Sequence, residues 1–229
     1  MARPLPAQAR LHPPQLDADA LRPGADLYNL FGAEERFDLD EPAAQDAVFE
    51  GGDASYTAGR GAEFRRCVLR RCNFRGAQWK NAAFVDVVFE QCDFSNARLP
   101  ESFFQRVRFK GCKLVGADLV GASLRSVSLQ DCQMRMINLN TAKLNAVSLT
   151  GCDAREAAMQ SISEFKSVAL AHCDLTAAEL LGTRLAGVDL TDCRIDGILL
   201  SGQAELRGAI VTPLQALALS RLLGIVIKE

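Results

Sequence analysis

Eight cysteines and two histidines are the residues of this 229-residue chain that could bind a metal, form disulfides or act as nucleophiles. Zinc sites need converging ligands and often use Cys-x-x-Cys pairs, a spacing that does not occur here. The cysteines are Cys67, Cys72, Cys92, Cys112, Cys132, Cys152, Cys173 and Cys193. From Cys72 onward they recur every twenty residues, with a single interval of twenty-one. This regularity indicates a structural repeat, in which the cysteines are buried and reduced, rather than a metal or disulfide framework.

A nucleophile and base pair is suggested by His172, which directly precedes Cys173. In extended chain, however, neighbouring side chains point to opposite faces, so we predict that Cys173 points inward and His172 outward. The other histidine, His12, lies in a proline-rich stretch. We therefore predict a protein that is not an enzyme and that holds no cofactor and no metal. The start of the chain lacks the apolar segment of a secretory signal, and we expect a cytoplasmic protein.

A period of five residues, from Ala62 to Leu200, explains the cysteine spacing. A large apolar residue occupies every fifth position, and a small residue precedes it by two. Neither a helix nor a flat strand gives such a period. Four pentapeptides therefore make one turn of a coil with four faces, and about seven to eight coils stack roughly 4.8 Å apart. The pattern slips by one residue between Met159 and Phe165, and it places Ser163 among the small inward residues.

Several units of this repeat resemble a known family. Ala117-Asp118-Leu119, Cys173-Asp174-Leu175 and Val188-Asp189-Leu190 are similar to the repeat of pentapeptide-repeat proteins, roughly Ala-(Asp/Asn)-Leu-X-X. The resemblance covers about two-thirds of the chain and implies an all-β solenoid, a right-handed quadrilateral β-helix. Such a repeat specifies the fold well and the function poorly.

The chain divides into three predicted segments. Residues 1–45 contain six of the eight prolines and form a partly extended arm, which covers the open first coil. Its apolar island Leu27–Phe31 docks on the coil or, alternatively, binds a partner. Residues 46–211 form the β-helix. Residues 212–229 form a helix followed by a short strand at residues 225–227, and no apolar run reaches the ~18 residues of a membrane span.

The C-terminal helix has recognisable boundaries and two apolar sides. Thr212 fits the N-cap, Pro213 the first helical position and Gly224 the C′ position. One apolar side is enough to close the coil, so the second predicts burial against another subunit. This tail is similar to those of pentapeptide proteins that protect DNA gyrase from fluoroquinolones, in which the terminal helix joins two subunits. We therefore predict a homodimer through Leu214, Leu217, Leu219, Leu222 and Leu223.

Charge is unevenly distributed along a chain whose net charge is −2. A basic cluster contains Arg60, Arg65, Arg66, Arg70, Arg71, Arg75 and Lys80. It is interpreted as a solvated surface or as a seat for the acidic arm residues Asp38, Asp40 and Glu41. A nucleic-acid face is the third interpretation, and direct binding of nucleic acid is the least favoured.

Two functions remain open at this stage. The first is an interaction scaffold for an unidentified protein. The alternative is a protein that binds DNA gyrase or another type II topoisomerase, by imitating DNA or by protecting the enzyme from fluoroquinolones. Duplex DNA carries a negative charge every ~1.7 Å, whereas residues 51–200 contain more basic than acidic side chains. The acidic partner face that remains consists of Asp174, Glu179, Asp189, Asp192 and Asp196.

Overall fold

A computed structural model describes residues 11–24, 27–30 and 43–226. Its helices are α1 (Leu27–Leu30), α2 (Gln203–Leu206) and α3 (Pro213–Ser220), and a 3₁₀ turn spans Arg221–Leu223. The strands are β1 (Arg22–Pro23), β2 (Ala43–Gln45), β3 (Ala47–Glu50), β4 (Ala58–Arg60), β5 (Glu63–Arg65), β6 (Val68–Arg70), β7 (Gln78–Lys80), β8 (Ala83–Glu90), β9 (Phe103–Lys110), β10 (Ser123–Gln130), β11 (Lys143–Thr150) and β12 (Glu164–Ala171). None of the described helices is long and apolar enough to cross a membrane.

The strands form a parallel β-solenoid, which confirms the predicted fold class. The main sheet follows the order β1-β3-β6-β8-β9-β10-β11-β12, and β5 joins β2 to β8 within it. Strands β4 and β7 form a separate two-stranded sheet. The six main-sheet strands from β6 to β12 mark about six regular turns, and less regular coils extend the stack at both ends. Single-residue bridges continue the faces between these strands, for example from Asp53 to Asn73 and on to Asp93.

Each coil turns its corners with a residue in the left-handed conformation, two positions after the large inward residue. Asp86 and Arg106 are such residues, with φ of 58° and 52°, and Gly76 adopts the same conformation. A residue other than glycine loses roughly 1–2 kcal/mol there. Hydrogen bonds between coils offset this cost; the Phe74 N–H donates to Asp93 O at 2.7 Å, for example.

The core changes character halfway along the rod. In the N-terminal half phenylalanine rings stack on successive coils, with ring centroids 5.5 Å apart for Phe64 and Phe84 and 4.9 Å apart for Phe84 and Phe104. Beyond Phe109 the same positions are mainly leucine. Because leucine fills less of the tube than phenylalanine, an apolar cavity of about 40 Å³ lies among these side chains.

The one-residue slip in the repeat is taken up by Ser163. Strands β11 and β12 pair with a register of twenty-one residues, as in Lys143 with Glu164. Ile162 is buried in the small inward position, and its N–H donates to Thr183 Oγ1 at 3.1 Å. Ser163 is exposed, so its predicted inward position is wrong. The extra residue is accommodated after Ile162, because a bulky apolar side chain gains more from burial than serine does.

The N-terminal arm lies against the first coils. Strand β1 pairs with β3 in parallel, and Leu27 is buried next to Gly52. Leu30 also packs against the core, so the expected docking of the apolar island is confirmed for these residues. Phe31 lies outside the described residues.

The predicted boundaries of the C-terminal helix are confirmed. Thr212 Oγ1 accepts the Gln215 N–H at 3.2 Å, Pro213 occupies the first turn, and Gly224 caps the 3₁₀ turn with φ 73°. The strand expected after Gly224 does not form at Ile225 or Val226. The Ile225 N–H donates back to Ser220 O at 3.2 Å, which turns the chain away from a strand edge.

A buried carboxylate closes the C-terminal end of the solenoid. Glu205 of α2 accepts N–H donors from Gly182 at 3.1 Å, Ser201 at 3.3 Å and Gly202 at 3.0 Å. Burial acts to raise the pKa of Glu205, but these hydrogen bonds together outweigh it, so its pKa lies below the ordinary value of 4.5. Glu205 therefore accepts the hydrogen bonds of backbone N–H groups that, in the middle of the solenoid, would be bound by the next coil.

We predict that Glu205→Gln destabilises the protein by about 1–3 kcal/mol at pH 7, because a neutral amide cannot replace a carboxylate that accepts three N–H groups. A carboxyl group with a lowered pKa contributes stability above its unfolded pKa and loses it as the pH falls through the folded value. The difference between wild type and variant in urea unfolding should therefore shrink below about pH 4.5.

The matched control is Glu101→Gln, which alters an exposed carboxylate 3.5 Å from Lys80 Nζ. Exposed ion pairs contribute at most about 1 kcal/mol, so this variant should unfold nearly as wild type does. Equal urea midpoints for the two variants at pH 7 would contradict the role assigned to Glu205.

Candidate interaction surfaces

The cysteines lie inside the solenoid, as predicted. All eight are buried and free of disulfides. The Sγ atoms of the first seven, Cys67 to Cys173, donate to backbone carbonyls of the coil before; the Cys92 Sγ, for example, lies 3.3 Å from Leu69 O. Cys173 is buried, whereas His172 is an exposed corner residue. The adjacent thiol and imidazole are therefore on opposite sides of the wall and cannot exchange a proton.

The Cys67 thiol is poorly suited to nucleophilic chemistry. Burial raises the pKa of the Cys67 thiol to about 11, so it stays protonated at neutral pH. Within residues 11–24, 27–30 and 43–226, no group of three histidine, cysteine or carboxylate side chains is placed to hold a metal. The cysteine column therefore acts as packing in the part of the chain that the structure describes.

The basic cluster is largely neutralised by acids of neighbouring coils. Arg66 forms two hydrogen bonds with Asp46, at 2.5 and 2.8 Å, and Arg70 binds Glu90 at 2.9 Å. Further ion pairs join Arg65 to Glu63, Arg71 to Glu50 and Lys80 to Glu101. The expected arm partners Asp38, Asp40 and Glu41 lie outside the described residues. The cluster is thus an ion-paired surface, which is less attractive to phosphates than a free basic patch.

The solenoid distributes the five predicted acidic residues over three faces. Asp174 and Asp196 share a face and both approach Arg194, at 3.4 and 3.8 Å. Glu179 lies on the next face, where Gln160 donates to it. Asp189 and Asp192 lie on a third face and its corner. The structure therefore does not bring the five carboxylates together, because residues five apart occupy different faces.

Exposed apolar side chains are concentrated at the C-terminal end. Leu214 is 76% exposed and Leu217 45%. We define the C-terminal apolar surface as Leu214, Leu217, Leu222, Ile225 and Val226, all of them exposed. Leu219, which sequence analysis assigned to the interface with a second subunit, is instead buried within its own subunit at 6% exposure, so that assignment is wrong. The side chain of Leu223 is not among those described.

The orientation of α3 explains which leucines remain outside. Gln215 Nε2 donates to Leu190 O at 2.8 Å and to Cys193 O at 2.9 Å. Gln215 and Leu219, four residues apart, share the helix side that faces the last coil. Gln215 was not among the residues that the sequence pattern singled out. Its reciprocal capping of Thr212 was the available signal.

Family models for pentapeptide repeats match most of the solenoid. The pentapeptide repeat region model matches residues 82–159, and two further pentapeptide-repeat models match residues 60–102 and 163–202. No match is found among curated proteins.

Solved structures with a similar fold include three of different origin. QnrB1, a plasmid-mediated fluoroquinolone resistance protein, is 17% identical with a TM-score of 0.35, over 82% of this chain and 99% of that one. HetL, involved in heterocyst differentiation regulation in Nostoc, is 20% identical with a TM-score of 0.32, over 74% and 89%. An Arabidopsis thaliana thylakoid-lumen protein is 23% identical with a TM-score of 0.26, over 48% and 64%.

We predict that a thiol reagent at pH 8 labels at most one or two cysteines of the native protein, and about eight after denaturation in guanidinium, because burial of the side chains excludes the reagent. Absorbance of the released chromophore gives the count. Rapid labelling of most cysteines in the native state would contradict the inward register.

Proposed function

Because the chain belongs to the pentapeptide-repeat family, we propose that it is a non-enzymatic protein-interaction module, a rigid scaffold that binds a protein partner. The observation that carries this proposal is the C-terminal apolar surface. Clusters of exposed apolar side chains on folded proteins commonly mark interaction sites. The described residues offer no catalytic site that would favour an enzyme instead: their thiols are buried, and no group of three ligands is placed to bind a metal ion.

We further propose that a second copy of the chain covers this surface. Helix α3 is held on the last coil by Gln215 and Leu219, which leaves Leu214 and Leu217 pointing away from the solenoid. Two such helices related by a two-fold axis would bury the same leucines on both subunits. Burying a leucine contributes about 1.5–3 kcal/mol, so a few leucines from each subunit can support association.

Light scattering should therefore give twice the 24.8 kDa monomer mass for the intact chain. The double variant Leu214→Arg, Leu217→Arg should give the monomer mass and keep its β signal in circular dichroism, because neither side chain contributes to the core.

Met136→Arg is the matched control, since Met136 is also exposed but lies at a corner of the solenoid, away from the C-terminal end. It should leave the dimer unchanged. Leu219→Arg should instead loosen the C-terminal helix, because Leu219 is buried. A monomeric wild type would contradict the proposed dimer.

The second candidate partner is DNA gyrase or another type II topoisomerase, bound by DNA mimicry or protected from fluoroquinolones. Mimicry needs a continuous acidic surface, but Asp174 and Asp196 are paired with Arg194. Gln160 donates to Glu179, which leaves Asp189 and Asp192 as the two of the five acids with neither an arginine nor a glutamine partner. Within residues 43–226, strand pairing is interrupted by the single inserted residue rather than by a long projecting loop. These observations favour the scaffold over the topoisomerase.

A supercoiling assay separates the two candidates. We expect micromolar protein neither to inhibit gyrase from the same organism nor to protect it from a fluoroquinolone. If either effect appeared, charge reversal at Asp189 and Asp192 should abolish it while reversal at Arg65 and Arg71 should not, and added salt should weaken it. That pattern would replace the scaffold proposal with the topoisomerase one, whatever the oligomeric state.

A further inference from the structure

The N-terminal end of the solenoid holds a short peptide of the chain itself. The Arg22 N–H donates to Asp46 O at 2.8 Å, and the Gly24 N–H donates to Val48 O at 2.7 Å. Pro23 lies between them. Its backbone nitrogen points away from the β3 edge, so the missing N–H of proline costs no hydrogen bond. The three residues thus add a short parallel strand to the first coil.

The edge of β3, which we call the seat of the arm, accepts only glycine as the third residue of the bound Arg22-Pro23-Gly24 segment. A Cβ atom on Gly24 would lie 2.5–2.8 Å from three atoms of the Phe49 ring. Phe49 is buried in the core, so its ring cannot move aside cheaply. A peptide with any larger residue at this point cannot approach the β3 edge closely enough to form both hydrogen bonds.

A second contact fixes the arm two coils further along the rod. Asp86 is only 6% exposed and receives two hydrogen bonds from Arg106, both at 2.6 Å. Its Oδ1 also accepts the Gln15 N–H at 2.8 Å. Burial acts to raise the pKa of Asp86, but these donors outweigh it and its pKa lies below the ordinary range. The carboxylate is therefore charged and oriented where the arm backbone passes.

The outer wall is apolar in the coils that the arm crosses. Val48, Val68 and Val88 follow one another in register at outward positions of one face. Val68 and Val88 are nevertheless only 5% and 7% exposed. The next outward residues in the same column are Arg108 and then Ser128 and Ser148. The valine stripe therefore ends close to the level of Asp86, where the arm is attached.

We propose that the first three coils form a binding site for an extended peptide containing an Xaa-Pro-Gly sequence, and that the N-terminal arm occupies this site in cis. The ligand places two backbone N–H groups on the β3 edge, a glycine on Phe49 and a further backbone N–H on Asp86. A partner protein with such a segment binds by displacing the arm. This site is separate from the C-terminal apolar surface and is tested without it.

The full-length variant Gly24→Val should vacate the seat. Hydrogen exchange of the Arg22 amide should become roughly tenfold faster or more, because two hydrogen bonds are lost. A fluorescent peptide of residues 11–24 should then bind the variant in an anisotropy titration. It should bind wild type at least tenfold more weakly, because the tethered arm competes at high effective concentration. The same peptide carrying Gly24→Val should not bind.

Gln15→Pro provides a second test that leaves the solenoid unaltered. Proline removes the N–H that Asp86 accepts, so a protease should cleave the arm of this variant faster than the arm of wild type. The wild-type peptide of residues 11–24 should also bind the variant more tightly than it binds the wild-type protein. Arg125→Val is the control, because Arg125 is an exposed residue of β10, beyond the coils that the arm contacts. Unchanged Arg22 exchange in Gly24→Val, or a peptide that binds neither arm variant, would overturn the proposal.

Discussion

The twenty-residue register between coils is the constraint on which the rest of this structure depends. Each coil donates backbone hydrogen bonds to the next, so a residue is stacked on residues twenty positions away. A side chain that fits once must therefore fit on every level. This explains why cysteine and valine recur in columns, and why phenylalanine rings stack on phenylalanine rings. It also explains the cavity among the leucines: each leucine stacks on another leucine, and no larger side chain from a neighbouring column fills the space between them.

The same register acts on charged residues at the surface. The corner column that begins with Asp46, Arg66, Asp86 and Arg106 alternates in sign, so each acid meets an arginine one coil away. Like charges at that spacing would repel each other in the same way as directly opposed residues in a sheet. Most of the basic cluster in the sequence is thus neutralised, chiefly by acids twenty or twenty-one residues distant. Local charge composition consequently misrepresents the surface of a solenoid unless it is read in register.

Sequence reasoning predicted the repeating part of the chain well because period, register and side-chain direction are coupled there. It failed where the repeat stops. Ile162 rather than Ser163 is buried, since a slip can be placed on either side of a small residue and only packing decides. Leu219 faces the core and Leu214 does not, because Gln215 orients the helix through carbonyls of the last coil. Such contacts depend on three-dimensional placement rather than on the pattern of neighbouring residues.

The two ends of the rod are closed by different means, and this difference separates their roles. At the C-terminal end Glu205 and Leu219 are buried, so a partner that displaced this end would have to replace the three hydrogen bonds to the carboxylate and the buried leucine. At the N-terminal end Leu27 is buried as well, but the stretch before it, residues 15–24, is held by backbone hydrogen bonds from Gln15, Arg22 and Gly24, which an incoming peptide can supply in turn. Exchange of one extended strand for another leaves the count of hydrogen bonds unchanged. The two proposals thus use the ends differently: the C-terminal end presents a fixed surface to a second subunit, and the N-terminal end exchanges its own strand for that of a partner.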